Sequence, residues 1–473
     1  MEKVTKIKTS FSILILAIAL VALYFSPVGL TSSDTENGII LDFGERNTYY
    51  GIVDDIENPN AHEALYRTCT MYEFPLEEDE NKIISINGVK SGTEDKEWNL
   101  YIIPLSSSKS SYNVSWIKTD KNPSDVKISQ YAAVAWAFCS ETELPSNAVD
   151  ASGKSMYGYG HPNKIVSLAP SCTEMICAVG GERKIVGTDS FSNYPESVES
   201  ARDSKKITDI GGFTNPNEEK IIDLNPDLVV CVNSQYSHNR IAEKLRSVGI
   251  NVLVIDGGES VNSVLESLIM VGTAMGVRET STSIVSELSS EISMISDIIA
   301  NNSSIPKNVM FSLSVDDAPW VSGSNTYASD AIGIISAENS YGELSDWVMV
   351  TPESLIYKNI ENEIFRDIDI IVVVMKDGPD NEQKYKTTLE QLGGEWKKTK
   401  AFNGDSDEKE IYFLTGSAAD LASRPGPRVA QFIELMARIV QKTAFDGDVP
   451  KFIGDEYKDY LILAKDPITD EIV

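Results

Sequence analysis

Three kinds of hydrophobic pattern follow one another along the chain. The first is an unbroken apolar run from Phe11 to Phe25, preceded by Lys3, Lys6 and Lys8 and closed by Pro27 and Gly29. A basic flank before such a run is the layout of a secretory signal. With Ser26 to Leu30 included, the run approaches the roughly 20 residues that span a bilayer, so a retained anchor fits equally well. Residues 1–33 are therefore expected to be a signal peptide or membrane anchor, with the lysines inside and the rest of the chain outside. No cysteine follows the run, so a bacterial-type lipid anchor is not expected.

The second pattern is short and alternating, over residues 36–144. Gly38–Phe43 and Thr48–Val53 flank Gly44–Asn47, a hairpin signal. Asn60 can cap a short helix, Ala61–Thr70. Lys82–Asn87, Trp98–Ile103, Val114–Lys118 and Ala133–Phe138 read as further strands, punctuated by Gly88, Gly92 and Pro104. Residues 145–162 are rich in Gly, Ser, Pro and Asn and read as a linker.

The third pattern alternates continuous apolar runs with helical spacing, which implies mostly parallel sheets. In residues 163–280 the strands are Lys164–Leu168, Lys184–Thr188, Leu228–Val232 and Asn251–Ile255. The helices between them are Thr173–Val179, with Ser171 or Thr173 as cap and Glu174 in the first turn, Glu218–Leu224 capped by Asn217, and Arg240–Val248. Residues 281–304 differ, because Ile284, Leu288, Ile292, Ile295 and Ile299 recur at helical spacing over about five turns. That suits a strut between two lobes. After Pro306 a second lobe (305–445) follows, with strands Asn308–Leu313, Ile368–Val374 and Glu410–Leu414. Its helices are Tyr327–Ile335, Pro352–Tyr357 and Gly426–Lys442, and residues 446–473 read as an acidic tail. The expected fold is α/β: two α/β lobes joined by one long helix, preceded by a small β-rich domain and an N-terminal signal or anchor helix.

Composition narrows the function. A chain of 473 residues should divide into about three units. A net charge of −30 excludes a general nucleic-acid binder, since nothing offsets repulsion from phosphates. Cys69, Cys139, Cys172, Cys177 and Cys231 fit no disulfide framework or zinc spacing and read as buried thiols, although Cys69 and Cys139 share a module and could pair. His62, His161 and His238 are scattered, so no metal site is expected. The sequence lacks a Gly-Lys-Ser/Thr phosphate loop, a Gly-x-Ser-x-Gly elbow and paired histidine ligands. No catalytic residues, and no enzyme, are expected. A metal-cluster protein of lobed α/β architecture remains as an alternative, for which Cys172, Cys177 and Cys231 are poorly spaced.

One set of motifs runs in order through residues 163–443: Ile165-Val166-Ser167-Leu168-Ala169-Pro170-Ser171-Cys172-Thr173-Glu174, Val186-Gly187-Thr188, Asn193-Tyr194-Pro195, Ile210-Gly211-Gly212-Phe213-Thr214-Asn215-Pro216-Asn217-Glu218-Glu219-Lys220-Ile221, and Leu224-Asn225-Pro226-Asp227-Leu228-Val229. In this order, with the strut helix after them, they resemble the substrate-binding proteins of cobalamin and iron–siderophore importers, the helix-strut class. The resemblance implies an extracytoplasmic receptor, secreted or held on the outer face of the membrane, that delivers its ligand to the permease and ATPase subunits of an ABC importer. It needs no cofactor of its own. The cleft loops that match the family bring Phe191, Phe213 and Tyr236 from the first lobe, and Trp320, Ser417 and Arg424 from the second. Glu219 and Glu353 match the carboxylates through which the family docks on its transporter.

Anionic siderophores call for cleft cations, and Arg424 is the exception among aromatic and small polar residues, which leans the expectation toward a corrinoid. Motifs of the N-terminal module resemble the small C-terminal domain of transcobalamin and intrinsic factor: Gly38-Ile39-Ile40-Leu41-Asp42-Phe43-Gly44, Ser85-Ile86-Asn87-Gly88-Val89, Glu97-Trp98-Asn99-Leu100-Tyr101-Ile102 and Val134-Ala135-Trp136-Ala137-Phe138. That likeness makes Trp98, Tyr101 and Trp136 candidates for a second ligand face, against an ordinary role in the strand core. Iron–siderophore or haem binding on the same fold, and an adhesive or scaffold protein of the cell envelope, stand as alternatives.

Overall fold

A computed structural model of the chain describes residues 38–44, 48–53, 56–79, 82–104, 116–140, 145, 150–152, 162–302, 305–356, 358–359, 364–365, 368–403, 405–406, 408–445 and 447–469. The apolar run expected as a signal or anchor lies outside them. Among the described residues no helix is long and apolar enough to cross a membrane.

The N-terminal module is a five-stranded sheet, in the order Thr48–Ile52, Gly38–Asp42, Tyr131–Cys139, Glu97–Pro104, Ile117–Lys118. The helix Ala61–Met71 covers one face, started by a capping box in which Asn60 accepts from the backbone of Glu63 and Glu63 from that of Asn60. A separate three-stranded sheet, Leu76–Asp79, Lys82–Ile86 and Val89–Lys90, turns at Asn87-Gly88, both with positive φ (49° and 81°). That is the backbone an Asn-Gly hairpin requires. The strand Leu76–Asp79 escaped the sequence because its Leu-Glu-Glu-Asp is nearly all charged.

The first lobe is a wholly parallel five-stranded sheet, ordered Thr208–Asp209, Ile185–Thr188, Ile165–Ser167, Leu228–Val232, Val252–Ile255. Its edge is closed by part of the expected linker. Ala151 donates its N–H to Val254 at 2.8 Å, and the buried carboxylate of Asp150 takes the Val254 N–H at 2.9 Å and the Arg246 guanidinium. The first helix runs Pro170–Ala178, with Pro170 at a position that loses no hydrogen bond. Ser171 and Thr173 do not cap it. Thr173 turns inward, its hydroxyl 2.8 Å from those of Ser167, Thr188 and Ser192.

The second lobe is a mixed sheet, Trp347–Met349, Trp320–Ser322, Asn308–Ser312, Ile370–Val374, Ile411–Leu414 and Phe452–Ile453, with Glu338–Asn339 also on Asn308–Ser312. Pro352–Ile356 is a 3-10 turn rather than the expected helix. The acidic tail is also corrected: Phe452–Ile453 extends the sheet in parallel with Phe413–Leu414, and Tyr457 is 1% exposed.

The strut is a 23-residue helix, Arg278–Ala300, roughly 35 Å long at 1.5 Å per residue. It buries Ile284, Val285, Leu288, Ile295 and Ile299 against the helices Val261–Ala274 and Val429–Val440. One hydrophobic core runs without a break from Ile165 through the strut to Tyr457, so the lobes share their interior. All five cysteines are buried. Cys139 is a thiol donating to the Tyr101 hydroxyl at 3.2 Å, not half of a disulfide with Cys69.

Candidate ligand cleft

The loops leaving the carboxyl ends of the parallel strands of both lobes meet at the inter-lobe boundary, where open α/β sheets take their ligands. In the first lobe the strand order reverses about Ile165–Ser167, which has Ile185–Thr188 on one side and Leu228–Val232 on the other. The backbones come close there. Gly258 has φ +93°, and a Cβ on it would lie 2.5 Å from Pro425 of the second lobe.

The first lobe contributes a rim of aromatic side chains. Phe191, 60% exposed, follows Ile185–Thr188 in a loop whose turn is fixed by Asp189, which accepts the Phe191 N–H at 2.9 Å. Its ring lies over Gly212. Phe213 is half-buried and meets His238 edge to face, with ring centres 5.0 Å apart. His238 is fully buried, and its Nε2 donates to the Phe213 carbonyl at 2.8 Å while Val232 N–H approaches Nδ1 at 3.4 Å. Burial lowers its pKa to about 4. The imidazole is therefore neutral and committed to holding the Phe213 loop. Tyr236 opens the same helix, Tyr236–Ser247, and is 80% exposed.

The second lobe contributes Trp320, 46% exposed, directly opposite Met349, 58% exposed, in an antiparallel pair. Ser417 is engaged within the lobe, its N–H and hydroxyl donating to Asp455 at 2.8 and 2.7 Å. Those two bonds hold the Asp455 carboxyl below its ordinary pKa.

Arg424 does not reach out as an open cation. It is almost wholly buried and pairs with Glu174 and Asp420, each at 3.0 Å, while Nη2 donates to the Phe191 carbonyl at 3.2 Å. Beside it Arg428 grips Glu174 through Nε (2.9 Å) and Nη2 (2.7 Å). Glu174, expected in the first turn of its helix, is thus a buried inter-lobe anion. The signal was present in a helix whose neighbouring positions are all apolar or small, Pro-Ser-Cys-Thr-Glu-Met-Ile-Cys-Ala. A lone carboxylate in such a stretch needs a buried cation. Tyr194 and Met349 were missed as well.

The other candidates lie elsewhere. Glu219 and Glu353 are both exposed, in the first turns of Glu218–Asp223 and Pro352–Ile356. Trp98, Tyr101 and Trp136 are 4%, 2% and 3% exposed, inside the N-terminal module. Trp98 donates to the Val89 carbonyl at 2.9 Å and Trp136 to that of Ala61 at 3.2 Å. All three are core residues: Trp98 and Trp136 lie in the cluster under the helix, and Tyr101 lies in the cluster on the opposite sheet face with Trp116 and Cys139.

Comparison with known proteins agrees with this fold. A protein of Bacillus subtilis (strain 168), described as an uncharacterized ABC transporter substrate-binding lipoprotein, is 28% identical over 326 residues, covering 68% of this chain and 92% of that protein. A cobalamin-binding protein of Halobacterium salinarum (strain R1) is 24% identical over 219 residues, 44% of this chain and 57% of that one. Among solved structures, a periplasmic haem-binding protein of Pseudomonas aeruginosa shares the fold at 17% identity, with a TM-score of 0.50 over 61% of this chain and 96% of that one. The periplasmic binding protein family matches residues 165–403, which take in most of both lobes and the strut, and the chain belongs to that family.

Proposed function

We propose that the chain is the extracytoplasmic substrate-binding component of an ABC importer and that its ligand is a corrinoid. The observation that carries the ligand class is the charge balance at the cleft. Arg424 and Arg428 pair with Glu174, and Asp420 is shared by Arg424 and the half-exposed Lys376, so the rim offers Phe191, Tyr236, Trp320 and Met349 rather than guanidinium. An anionic iron–siderophore gains most from cations whose charge is unspent. A flat corrin fringed with amides gains from aromatic and thioether surface and a few neutral donors. The descriptions of the Bacillus and Halobacterium relatives support the importer and corrinoid parts of the reading. In it this chain binds and delivers, and the importer's ATPase drives release.

Haem is the second reading, favoured by one observation. The Tyr236 phenol is 80% exposed at the rim, and a tyrosine can ligate haem iron. His238 cannot, since its Nε2 is held by the Phe213 carbonyl.

Calorimetric titration of the full chain with cyanocobalamin, cobinamide and haemin separates the two. Saturable one-site binding of the corrinoids below micromolar, without haemin binding, supports the proposal. Binding of haemin alone, with a tyrosinate-to-iron charge-transfer band, replaces it by the haem reading. Silence with all three removes both and turns attention to an iron–siderophore on the same fold.

A further inference from the structure

The segment after the last long helix crosses every part of the two-lobed body. Asp455 is held to the second lobe by Ser417. The buried Tyr457 accepts from Arg428 Nη1 at 3.1 Å. The N–H groups of Ile462, Leu463 and Ala464 donate to Glu434 at 2.8, 3.0 and 2.8 Å, a buried carboxylate also paired with Arg438. Lys465 N–H donates to Glu291 on the strut at 3.2 Å. Asp466, 1% exposed, then accepts from Lys458 Nζ at 2.7 Å and from the hydroxyl of Tyr194. Tyr194 belongs to the first lobe.

We propose that residues 455–469 form an inter-lobe strap in which Asp466, through Tyr194, positions the loop bearing Phe191 against the second lobe. The loop's other bonds run the same way. Arg428 stacks on the Tyr194 ring at 4.0 Å, and Lys458 lies 5.3 Å from its centre. Asn193 donates to Asp420 at 2.8 Å, and Arg424 donates to the Phe191 carbonyl. Three residues of one first-lobe loop are thus tied to second-lobe or strap groups. A buried carboxylate is costly when a donor is lost, and besides the Ile468 N–H the donors to Asp466 are Lys458 and the Tyr194 hydroxyl, so the strap and the loop stabilise one another. The consequence is a cleft whose width and rim are set before a ligand arrives. Tyr194 and Asp466 are positioning residues, and only the importance of Phe191 to a ligand rests on the function proposed above.

The test is amide exchange of the unliganded full chain, so it does not depend on which ligand binds. Tyr194→Phe keeps the ring under Arg428 and removes only the hydroxyl. Asp466→Asn keeps the shape and removes the charge. Both should speed exchange in peptides covering 189–195 by about tenfold or more, as expected for loss of a charge-assisted hydrogen bond. Peptides from Ile370–Val374 and Ile411–Leu414 should keep their protection. Unchanged exchange at 189–195 in both variants would overturn the proposal. So would a uniform increase through both lobes, which would mean that the bond adds only to general stability.

Discussion

Arg428 lays one edge of its guanidinium, Nε and Nη2, on the two oxygens of Glu174, at 2.9 and 2.7 Å, and the partners are 3% and 1% exposed. They stand 254 residues apart, in different lobes. Glu174 holds the Arg428 pKa above its ordinary value, against the opposing effect of burial.

Removing Glu174 leaves the Arg428 charge buried without its counter-ion, and removing Arg428 leaves Glu174 with Arg424 as its remaining cation. Glu174→Gln or Arg428→Met is expected to cost about 3–5 kcal/mol. The pair Glu174→Leu with Arg428→Met, apolar on both sides, should recover most of that loss, although Arg424 keeps its pairing with Asp420. Urea denaturation of the three variants checks this. A single-variant loss below about 1 kcal/mol would show that the pair is solvated in practice, as surface pairs are.

How much of this was legible in the sequence depends on the range of the signal. The strut announced itself because Ile284, Leu288, Ile295 and Ile299 repeat at helical spacing and all four are buried. The Asn60 cap and the Asn87-Gly88 turn are equally local, and both formed. Arg424 was misplaced for the opposite reason. Its partner Glu174 lies 250 residues away, and no local spacing shows that a cation is already spent. The strap was hidden in the same way. Residues 455–469 are acidic and aperiodic, and they are held by distant partners, among them Ser417, Arg428, Glu434, Glu291 and Tyr194.

The rim aromatics should carry the affinity. Truncating a well-packed aromatic anchor costs on the order of 1–3 kcal/mol. Trp320→Ala and Phe213→Ala are therefore each expected to weaken corrinoid binding by about 10- to 100-fold in calorimetry. Trp98→Phe, in the core of the N-terminal module, should leave affinity unchanged. Loss of affinity in Trp98→Phe with none in Trp320→Ala would move the site to the module.

Glu219 and Glu353 should matter for transport and not for binding. Both are exposed, one in each lobe, and exposed charges of this kind orient a partner more than they add affinity. Reversal of both, Glu219→Arg with Glu353→Arg, should abolish uptake by the reconstituted importer while the ligand titration stays unchanged. Normal uptake by the double variant would exclude these carboxylates from docking.

His238 makes the fold sensitive to acid. Its folded pKa, about 4, lies below the ordinary 6.5 because of burial. As pH falls the unfolded chain takes up the proton first, so stability declines from about pH 6.5 down to about 4 and is fully present only above that window. The same protonation would break the contact between Val232 N–H and Nδ1. His238→Gln should flatten this part of the urea-midpoint profile between pH 7.5 and 4.5. A profile as steep as that of the parent would place the acid sensitivity elsewhere.

Glu291 works in the opposite sense, and the contrast allows the two to be separated. Burial raises its carboxyl to about 7, helped by Glu287 and Glu434 and opposed by the Lys465 N–H and charge. One of its oxygens has no hydrogen-bond partner among the described residues. A folded pKa above the unfolded value, near 4.5, means that the folded chain holds the proton more tightly. Stability is then greatest below about pH 4.5, falls as pH climbs to about 7, and is flat above it. Over roughly pH 4.5–6.5 this slope runs against that of His238, so the parent profile understates both. Glu291→Gln keeps an acceptor for the Lys465 N–H and removes the ionisation. It should stabilise the chain by about 1–2 kcal/mol at pH 8 and leave it unchanged at pH 4.5. With that opposing slope gone, the acid sensitivity due to His238 should become steeper, and the double variant with His238→Gln should lose it. An equal gain from Glu291→Gln at both pH values would mean that the carboxyl titrates alike in the folded and unfolded chain, and that the strap meets the strut through packing rather than charge.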